Sequence, residues 1–274
     1  MLRFAGAGVT DVGHVREHNE DAAFVGPSVA LVADGVGGAA AGEVASATAA
    51  YVVSAVALAR RGDAPAAVLA DAALAAQRRL HEGILADASR HGMATTLTAL
   101  VCDGDEVWLG HVGDSRCYVW GDGLLRQASA DHTYVQHLVD HGQLTPDEAI
   151  GHEWRHVVVR SLDGATEEPG ADGGPVLDVA RLGVAAGDRL LLCSDGLTDL
   201  VSDEGIADLL RLEDAQSAAR ALVDAALAAG GRDNVTCVVL DLVVGPPPDG
   251  GDQGVVLGAL DDPANVVDAA GATR

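Results

Sequence analysis

The chain has 274 residues, 49% of them hydrophobic, enough to bury a substantial core. Its 41 acidic residues stand against 17 arginines and no lysine, a formal charge of −24, which excludes broad electrostatic attraction to nucleic acid or anionic lipid. A phosphorylated ligand then needs a local source of positive charge, and bound cations can invert the field inside a cleft.

The first residues, Met1-Leu2-Arg3-Phe4, run into small side chains and Asp11, and no stretch of about 18 uncharged apolar residues follows, so the chain reads as soluble and cytoplasmic. Strand-like apolar runs come first at 22–25 and 29–33. Two alanine-rich stretches, 42–61 and 64–90, read as helices; in the first, Val44, Thr48, Tyr51, Ala55 and Leu58 recur at helical spacing. Strand-like runs continue at 97–102, 107–112, 117–120, 157–159, 189–193 and 235–243, and the turns Asp103-Gly104-Asp105 and Gly121-Asp122-Gly123 favour hairpins. Further helices are expected at 133–141, 146–150, 202–212 and 214–229, the last two opened by Ser202 and Asp214 as caps.

Long helices segregated from hairpin-linked strands give an α+β layered fold. One domain is expected over 1–244. Beyond it, Gly245-Pro246-Pro247-Pro248-Asp249-Gly250-Gly251 breaks regular structure, and 245–274 reads as a flexible Pro/Gly/Asp-rich tail. Cys102, Cys117, Cys193 and Cys237 stand singly in apolar runs without metal-ligand spacing, as buried reduced thiols do.

Four acidic segments far apart place an aspartate where a strand is expected to end: Ala33-Asp34-Gly35, Gly113-Asp114-Ser115-Arg116, Ser194-Asp195-Gly196 and Arg232-Asp233-Asn234. Joined by folding, those ends form an all-oxygen cluster, the donor set that hard divalent cations prefer.

In order along the chain stand Gly13-His14-Val15-Arg16-Glu17-His18-Asn19-Glu20-Asp21, Asp34-Gly35-Val36-Gly37-Gly38, Met93-Ala94-Thr95-Thr96-Leu97, Gly110-His111-Val112-Gly113-Asp114-Ser115-Arg116, Cys193-Ser194-Asp195-Gly196-Leu197 and Gly231-Arg232-Asp233-Asn234-Val235-Thr236. Together they resemble the metal-dependent serine/threonine protein phosphatases of the type 2C family, bacterial branch, over about residues 4–244. The resemblance implies a four-layer α/β/β/α sandwich of two packed, mainly antiparallel sheets flanked by helices. It implies two Mn²⁺ or Mg²⁺ ions bridged by Asp34, with the Gly35 carbonyl on one and Asp195 and Asp233 completing the other. Glu20 and Asp21 would hold ion-bound waters, and Asp114 and Asp199 would help bind a weaker third ion. Arg16, whose planar guanidinium can hold two phosphate oxygens, is the expected phosphate clamp.

The reaction so implied is hydrolysis of phosphoserine and phosphothreonine in proteins by a water primed between two cations, which must supply a barrier reduction on the order of 20 kcal/mol. Expected partners are phosphorylated proteins, among them a Ser/Thr kinase and its substrates, with no nucleic acid and no membrane segment, and the chain is expected to act as a monomer. Two other readings stay open: a weakly active or inactive phosphoprotein-binding module, and a small-molecule phosphomonoesterase.

The sequence departs from the family pattern at Val36, where some relatives carry a histidine proposed to protonate the leaving alkoxide; valine cannot transfer a proton. A metal-bound water or another group must then serve, with His132 and His156 the nearest candidates against a structural role for each. Ala39 and Ala94 also replace residues usual in the family. Thr95 and Thr96 are explained by strand propensity or by hydrogen bonds around the site, and Gly37 and Gly38 by tight backbone or by generic turns. Residues 131–164 resemble the family's helix-and-flap insertion, with His156 where asparagine is usual.

Overall fold

The computed structural model describes residues 1–36, 41–164, 176–246 and 254–267. In chain order the strands are β1 (Leu2–Asp11), β2 (Asp21–Val25), β3 (Val29–Val36), β4 (Ala94–Thr95), β5 (Leu97–Asp103), β6 (Glu106–Val112), β7 (Arg116–Gly121), β8 (Leu124–Gln127), β9 (Asp178–Leu182), β10 (Arg189–Cys193), β11 (Val235–Val244) and β12 (Val255–Gly258). The helices are α1 (Gly42–Ala59), α2 (Pro65–Ala86), α3 (Tyr134–Asp140), α4 (Pro146–Ile150), α5 (Asp195–Thr198), α6 (Asp203–Leu209) and α7 (Ala215–Ala228).

Strands that are apolar on both faces must be covered on both, and here they are. Alternate residues of β3 point to different cores: Val29, Leu31 and Ala33 pack beneath α1 and α2, while Ala30 and Val32 meet Leu190, Leu192 and Leu240 of the opposing sheet. In β11, Val238, Leu240 and Leu242 face that inter-sheet core, and Val235, Cys237 and Val239 pack against α5, α6 and α7. Three cores therefore separate four layers. One sheet runs β1-β11-β10-β7-β8 and the other β12-β2-β3-β5-β6-β9 with β4 paired to β3, and every described pairing is antiparallel. The expected α/β/β/α sandwich holds.

Several local expectations are corrected. Residues 157–159 form no strand; Val158 only bridges Thr133 beneath the flap. Helix α2 ends at Ala86, and Ala88–Arg90 is a separate 3-10 turn. Strand β1, whose middle run Ala5-Gly6-Ala7-Gly8 has little strand propensity, is made by tertiary pairing, since all ten of its residues match β11 from Leu2↔Val244 to Asp11↔Val235. Helix α1 is long and apolar enough to cross a membrane, but 61% of it is buried inside the fold, where it packs on β3 and α2.

The tail is the largest correction. Residues 247–253 and 268–274 lie outside the described residues, as do Gly37, Gly38 and Ala39. Between those tail segments, however, β12 pairs antiparallel with β2, from Val255↔Val25 to Gly258↔Ala22, and Ala259 and Leu260 are buried against α1. A run of four residues, Val255 to Gly258, suffices because the outer edge of β2 offers a ready ladder of main-chain partners.

The buried Arg189 ties the α6–α7 connection to the sheet. Its guanidinium, 8% exposed, donates to both carboxylate oxygens of Asp241 and to the carbonyls of Leu210 and Glu213. Replacing it strands those acceptors together, so Arg189→Ala is expected to cost about 3 kcal/mol in urea unfolding, with Asp241→Ala costing less because that carboxylate is partly wet.

Candidate metal centre

At one end of the sandwich, the ends of both sheets open into a cavity of about 490 Å³ lined by Arg16, Glu20, Asp34, Gly35, Asp114, Asp195, Asp199 and Asp233. Val36, Arg155, His156, Val158, Gly196, Leu200 and Arg232 complete the described lining. The carboxylates come from separate parts of the chain, only Asp195 and Asp199 sharing one helical turn. Asp34 sits near the end of β3, Asp114 in the β6–β7 loop, and Asp195 at the first residue of α5 directly after β10. Asp233 precedes β11 instead of ending a strand, which is the natural result of an antiparallel partner running the other way.

Neutral donors and acceptors hold these side chains in place. Thr96 Oγ1 accepts from the Asp34 N–H at 2.9 Å, while Thr95 Oγ1 and the Thr96 N–H both donate to the Asp34 carbonyl. Thr95 and Thr96 thus do more than favour a strand. Gly35 is needed for close approach: a Cβ there would stand 2.4 Å from the Gly42 carbonyl oxygen and 2.8 Å from that of Glu20. Asn234 accepts from the Glu20 N–H and donates to the carbonyls of Val12 and His18, fastening the Arg16 loop beside Asp233.

Asp21 lies under the cavity floor with 0% exposure. Its Oδ2 accepts from Ser194 Oγ and Thr236 Oγ1, each at 2.7 Å, while its Oδ1 has no protein partner. The supporting roles of Asn234, Ser194 and Thr236 are not assigned by sequence reasoning, although all three stand inside the acidic motifs, which was the available signal.

The electrostatics record how unfavourable the assembly is without counter-charge. Burial, then repulsion from Asp21, Asp195, Asp114 and Asp233, holds the Asp34 carboxyl well above the usual carboxylate range. Asp195 is raised likewise by burial and by Asp114 and Asp199. Burial, opposed by the two hydroxyl hydrogen bonds, pushes Asp21 up to about 6, and burial with Asp131 and Asp199 pushes Asp114 up to about 7. Burial followed by Glu43 raises Glu20. Among the described residues, Arg16 is the arginine in direct contact with this cluster, its Nη2 donating to Asp233 Oδ2 at 2.7 Å.

Asp199 joins Asp195 as expected for one helical turn, its N–H donating to the Asp195 carbonyl at 2.9 Å. His156 Nδ1 lies 3.2 Å from Asp199 Oδ2, and ligand atoms of His156, Asp195 and Asp199 lie within 4.8 Å of one another. His132 is not part of the cavity lining. Its Nδ1 accepts from the Gly113 N–H and its Nε2 meets Asp178, so it braces the β6–β7 loop against β9 and is removed as a proton donor.

An all-oxygen donor set, mutual repulsion among buried carboxylates and an orphaned buried oxygen on Asp21 together fit hard divalent cations with their bound waters.

Residues 13–229 match the family model described as Protein phosphatase 2C; β11, β12 and the turns after them follow that stretch. The chain is 42% identical over 247 residues to the serine/threonine protein phosphatase PstP of Mycobacterium tuberculosis (strain ATCC 25618 / H37Rv), covering 89% of this chain and 45% of PstP. The chain thus spans less than half the length of that relative. It is 30% identical over 242 residues to the serine/threonine phosphatase stp of Listeria welshimeri, covering 85% of this chain and 93% of that protein. A crystal structure of the PstP catalytic domain in complex with two manganese ions superposes with a TM-score of 0.79 at 39% identity, covering 89% of this chain and all of that one.

Carboxyls raised in the folded state hold protons that the unfolded chain releases above about pH 4, so their contribution to stability is present in acid and lost as pH rises through the folded values. With Asp21 near 6 and Asp114 near 7, these two groups should cost the metal-free protein thermal stability as pH rises from about 4 to about 7, and Mn²⁺ should restore it. His111, driven by burial down to about 4, acts in the opposite sense between about pH 4 and its unfolded value of about 6.5, and so offsets part of that loss. Mn²⁺ binding should release protons, seen in calorimetry as a heat that depends on the buffer's ionisation enthalpy; a buffer-independent heat at pH 7 contradicts this electrostatic account.

Proposed function

The chain belongs to the protein phosphatase 2C family, and from that premise we propose that it hydrolyses phosphoserine and phosphothreonine in proteins at a centre of two Mn²⁺ or Mg²⁺ ions. The observation that carries the reading is the convergence of Asp34, Asp195 and Asp233 from three separate strand ends on one cavity that also holds Arg16. Asp34 and the Gly35 carbonyl, with Asp195 and Asp233, would hold the two ions; Glu20 and Asp21 would orient bound waters through their free oxygens. Asp114 and Asp199 would contribute to a third, weaker site. When bound, the ions lower the pKa of water and neutralise charge on the phosphoryl oxygens.

The protein's own side chains supply the rest. The Arg16–Asp233 pair is half-exposed, at 44% and 36% of the two side chains, so breaking it costs little. Asp233 can therefore turn to an ion while Arg16 presents two N–H groups to the phosphate. Arg155 and Arg232 add positive charge at the rim of a molecule that otherwise repels phosphate. Val36 lines the cavity but transfers no proton, and His156 is the imidazole within reach: Asp199 holds its Nδ1 side, leaving Nε2 to protonate the leaving alkoxide.

The substrates proposed are phosphoproteins made by a Ser/Thr kinase of the same compartment. A cytoplasmic setting is supported by four buried free cysteines, two of which, Cys193 and Cys237, pair across neighbouring strands without a disulfide.

Release of phosphate from a phosphothreonine peptide with Mn²⁺ tests the reading. Asp195→Ala and EDTA should each lower kcat/KM at least about 100-fold, and Arg16→Ala should raise KM while leaving Mn²⁺ calorimetry nearly unchanged. Equal rates for parent and Asp195→Ala would remove the site assignment, and faster turnover of small phosphoesters than of peptides would redirect the substrate class. His156→Gln should slow the phosphothreonine peptide about tenfold or more yet spare p-nitrophenyl phosphate, whose leaving group needs no proton; equal losses on both substrates would discard the proton-donor role.

A further inference from the structure

Strand β12 and the 3-10 turns Ala259–Asp261 and Pro263–Asn265 contribute no residue to the described lining of the metal cavity. We propose that this C-terminal strap is a positioning element of the metal centre: by seating Gly258 against the Asn19–Asp21 turn, it holds Glu20 and Asp21 in the arrangement that ion binding requires. The inference rests on the metal-centre reading above.

The contact is close and specific. The β12–β2 ladder ends at Gly258↔Ala22, one residue from Asp21. Gly258 has φ +69°, and a Cβ on it would stand 2.2 Å from the Asp21 carbonyl oxygen and 3.6 Å from Asn19 Nδ2. Any other residue there would be strained in φ and would push the turn away. The turn itself is the joint between the metal-site elements. The Asp21 N–H donates to Asn19 Oδ1, Asn19 Nδ2 donates to Thr10 Oγ1, the Glu20 N–H donates to Asn234 Oδ1, and the Glu20 carbonyl accepts from Gly35. Displacing the turn therefore moves Glu20, Asp21 and Gly35 together.

The far end of the strap is anchored on α1. Asn265 Nδ2 donates to the Ala259 carbonyl, and the Val267 N–H donates to Thr48 Oγ1 at 3.0 Å. Ala259 and Leu260 are buried in the core beneath α1, and Val267 packs over Gly83 and Met93. Helix α1 begins at Gly42, whose carbonyl abuts Gly35. One short segment thus braces β2 and α1, the two elements that enclose Glu20 and Gly35. A device that only covered a sheet edge would need neither the second anchor nor a left-handed residue against Asp21.

The test uses the whole 274-residue chain with single substitutions. Gly258→Ala adds a methyl group at the turn, and Leu260→Ala loosens the strap away from it. Val255→Thr, at the exposed outer end, serves as the control. Both test variants should weaken Mn²⁺ binding in calorimetry, by about tenfold for Gly258→Ala and less for Leu260→Ala, with faster amide exchange at residues 20–22. On p-nitrophenyl phosphate at subsaturating Mn²⁺, kcat should fall with KM unchanged. If either folded test variant keeps its Mn²⁺ Kd within about twofold of the parent while only its Tm falls, the strap is merely structural and the proposal fails. Calorimetry and exchange read the strap even if the parent hydrolyses no phosphopeptide, so failure of the phosphatase reading is told apart from failure of this one.

Discussion

Mutual repulsion among buried carboxylates is the constraint around which this molecule is organised. Asp21, Asp34, Asp114 and Asp195 each have a pKa raised first by burial and in part by neighbouring carboxylates. Like charges brought this close drive their carriers apart unless the backbone behind them cannot yield. The protein meets that condition with sheet. The ten-residue pairing of β1 with β11, the adjoining β10, and the β2–β3–β5 ladder place the acidic residues at the ends of stiff elements. The residues that grip them, Thr95, Thr96, Ser194, Thr236 and Asn234, are neutral. A cation in those places would relieve the repulsion permanently and leave nothing for an ion to neutralise.

The same logic explains the sparse use of positive charge. Arg16 reaches the cluster only through Asp233, in an exposed and weak pair, while the strong guanidinium contacts are placed elsewhere. Arg116 grips Asp131 through three contacts of 2.7 to 3.0 Å at the base of the flap, and Arg189 is engaged with Asp241 behind the sheet. Arg116 and Arg189 are locked, whereas Arg16 at the cavity is held by an exposed pair alone.

What could be read from the sequence follows from the range of the interactions that decide each feature. The acidic motifs were legible because each carries its own turn chemistry: an aspartate beside a small or polar residue where an apolar run ends or, for Asp233, begins. The capped helices α6 and α7 were legible because Ser202 and Asp214 supply local signals, and each accepts the expected backbone hydrogen bond. Strand β1 was not, because Ala5, Gly6, Ala7 and Gly8 have no intrinsic preference and are extended only by β11. The partnership of Asp21 with Ser194 and Thr236 spans 173 and 215 residues, so no local pattern announces it. His132 and His156 looked equivalent in the sequence; only the fold separates a residue bracing a loop from one facing the cavity.

The strap shows how composition can mislead about a terminus. A segment rich in Pro, Gly and Asp with few large side chains has too little apolar surface to fold alone, and that inference is sound for an isolated peptide. Here the main-chain ladder comes from the free edge of β2 and the apolar surface from α1, so three aliphatic residues and a buried Leu260 are enough. Edges of sheets are recruitment sites, and a fold that leaves one open risks pairing with another chain. Closing that edge with its own C-terminal segment removes the hazard. It also makes the geometry of Asn19, Glu20 and Asp21 dependent on a piece of chain outside the matched stretch 13–229. A substitution far from the cavity can then alter ion binding without touching any ligand.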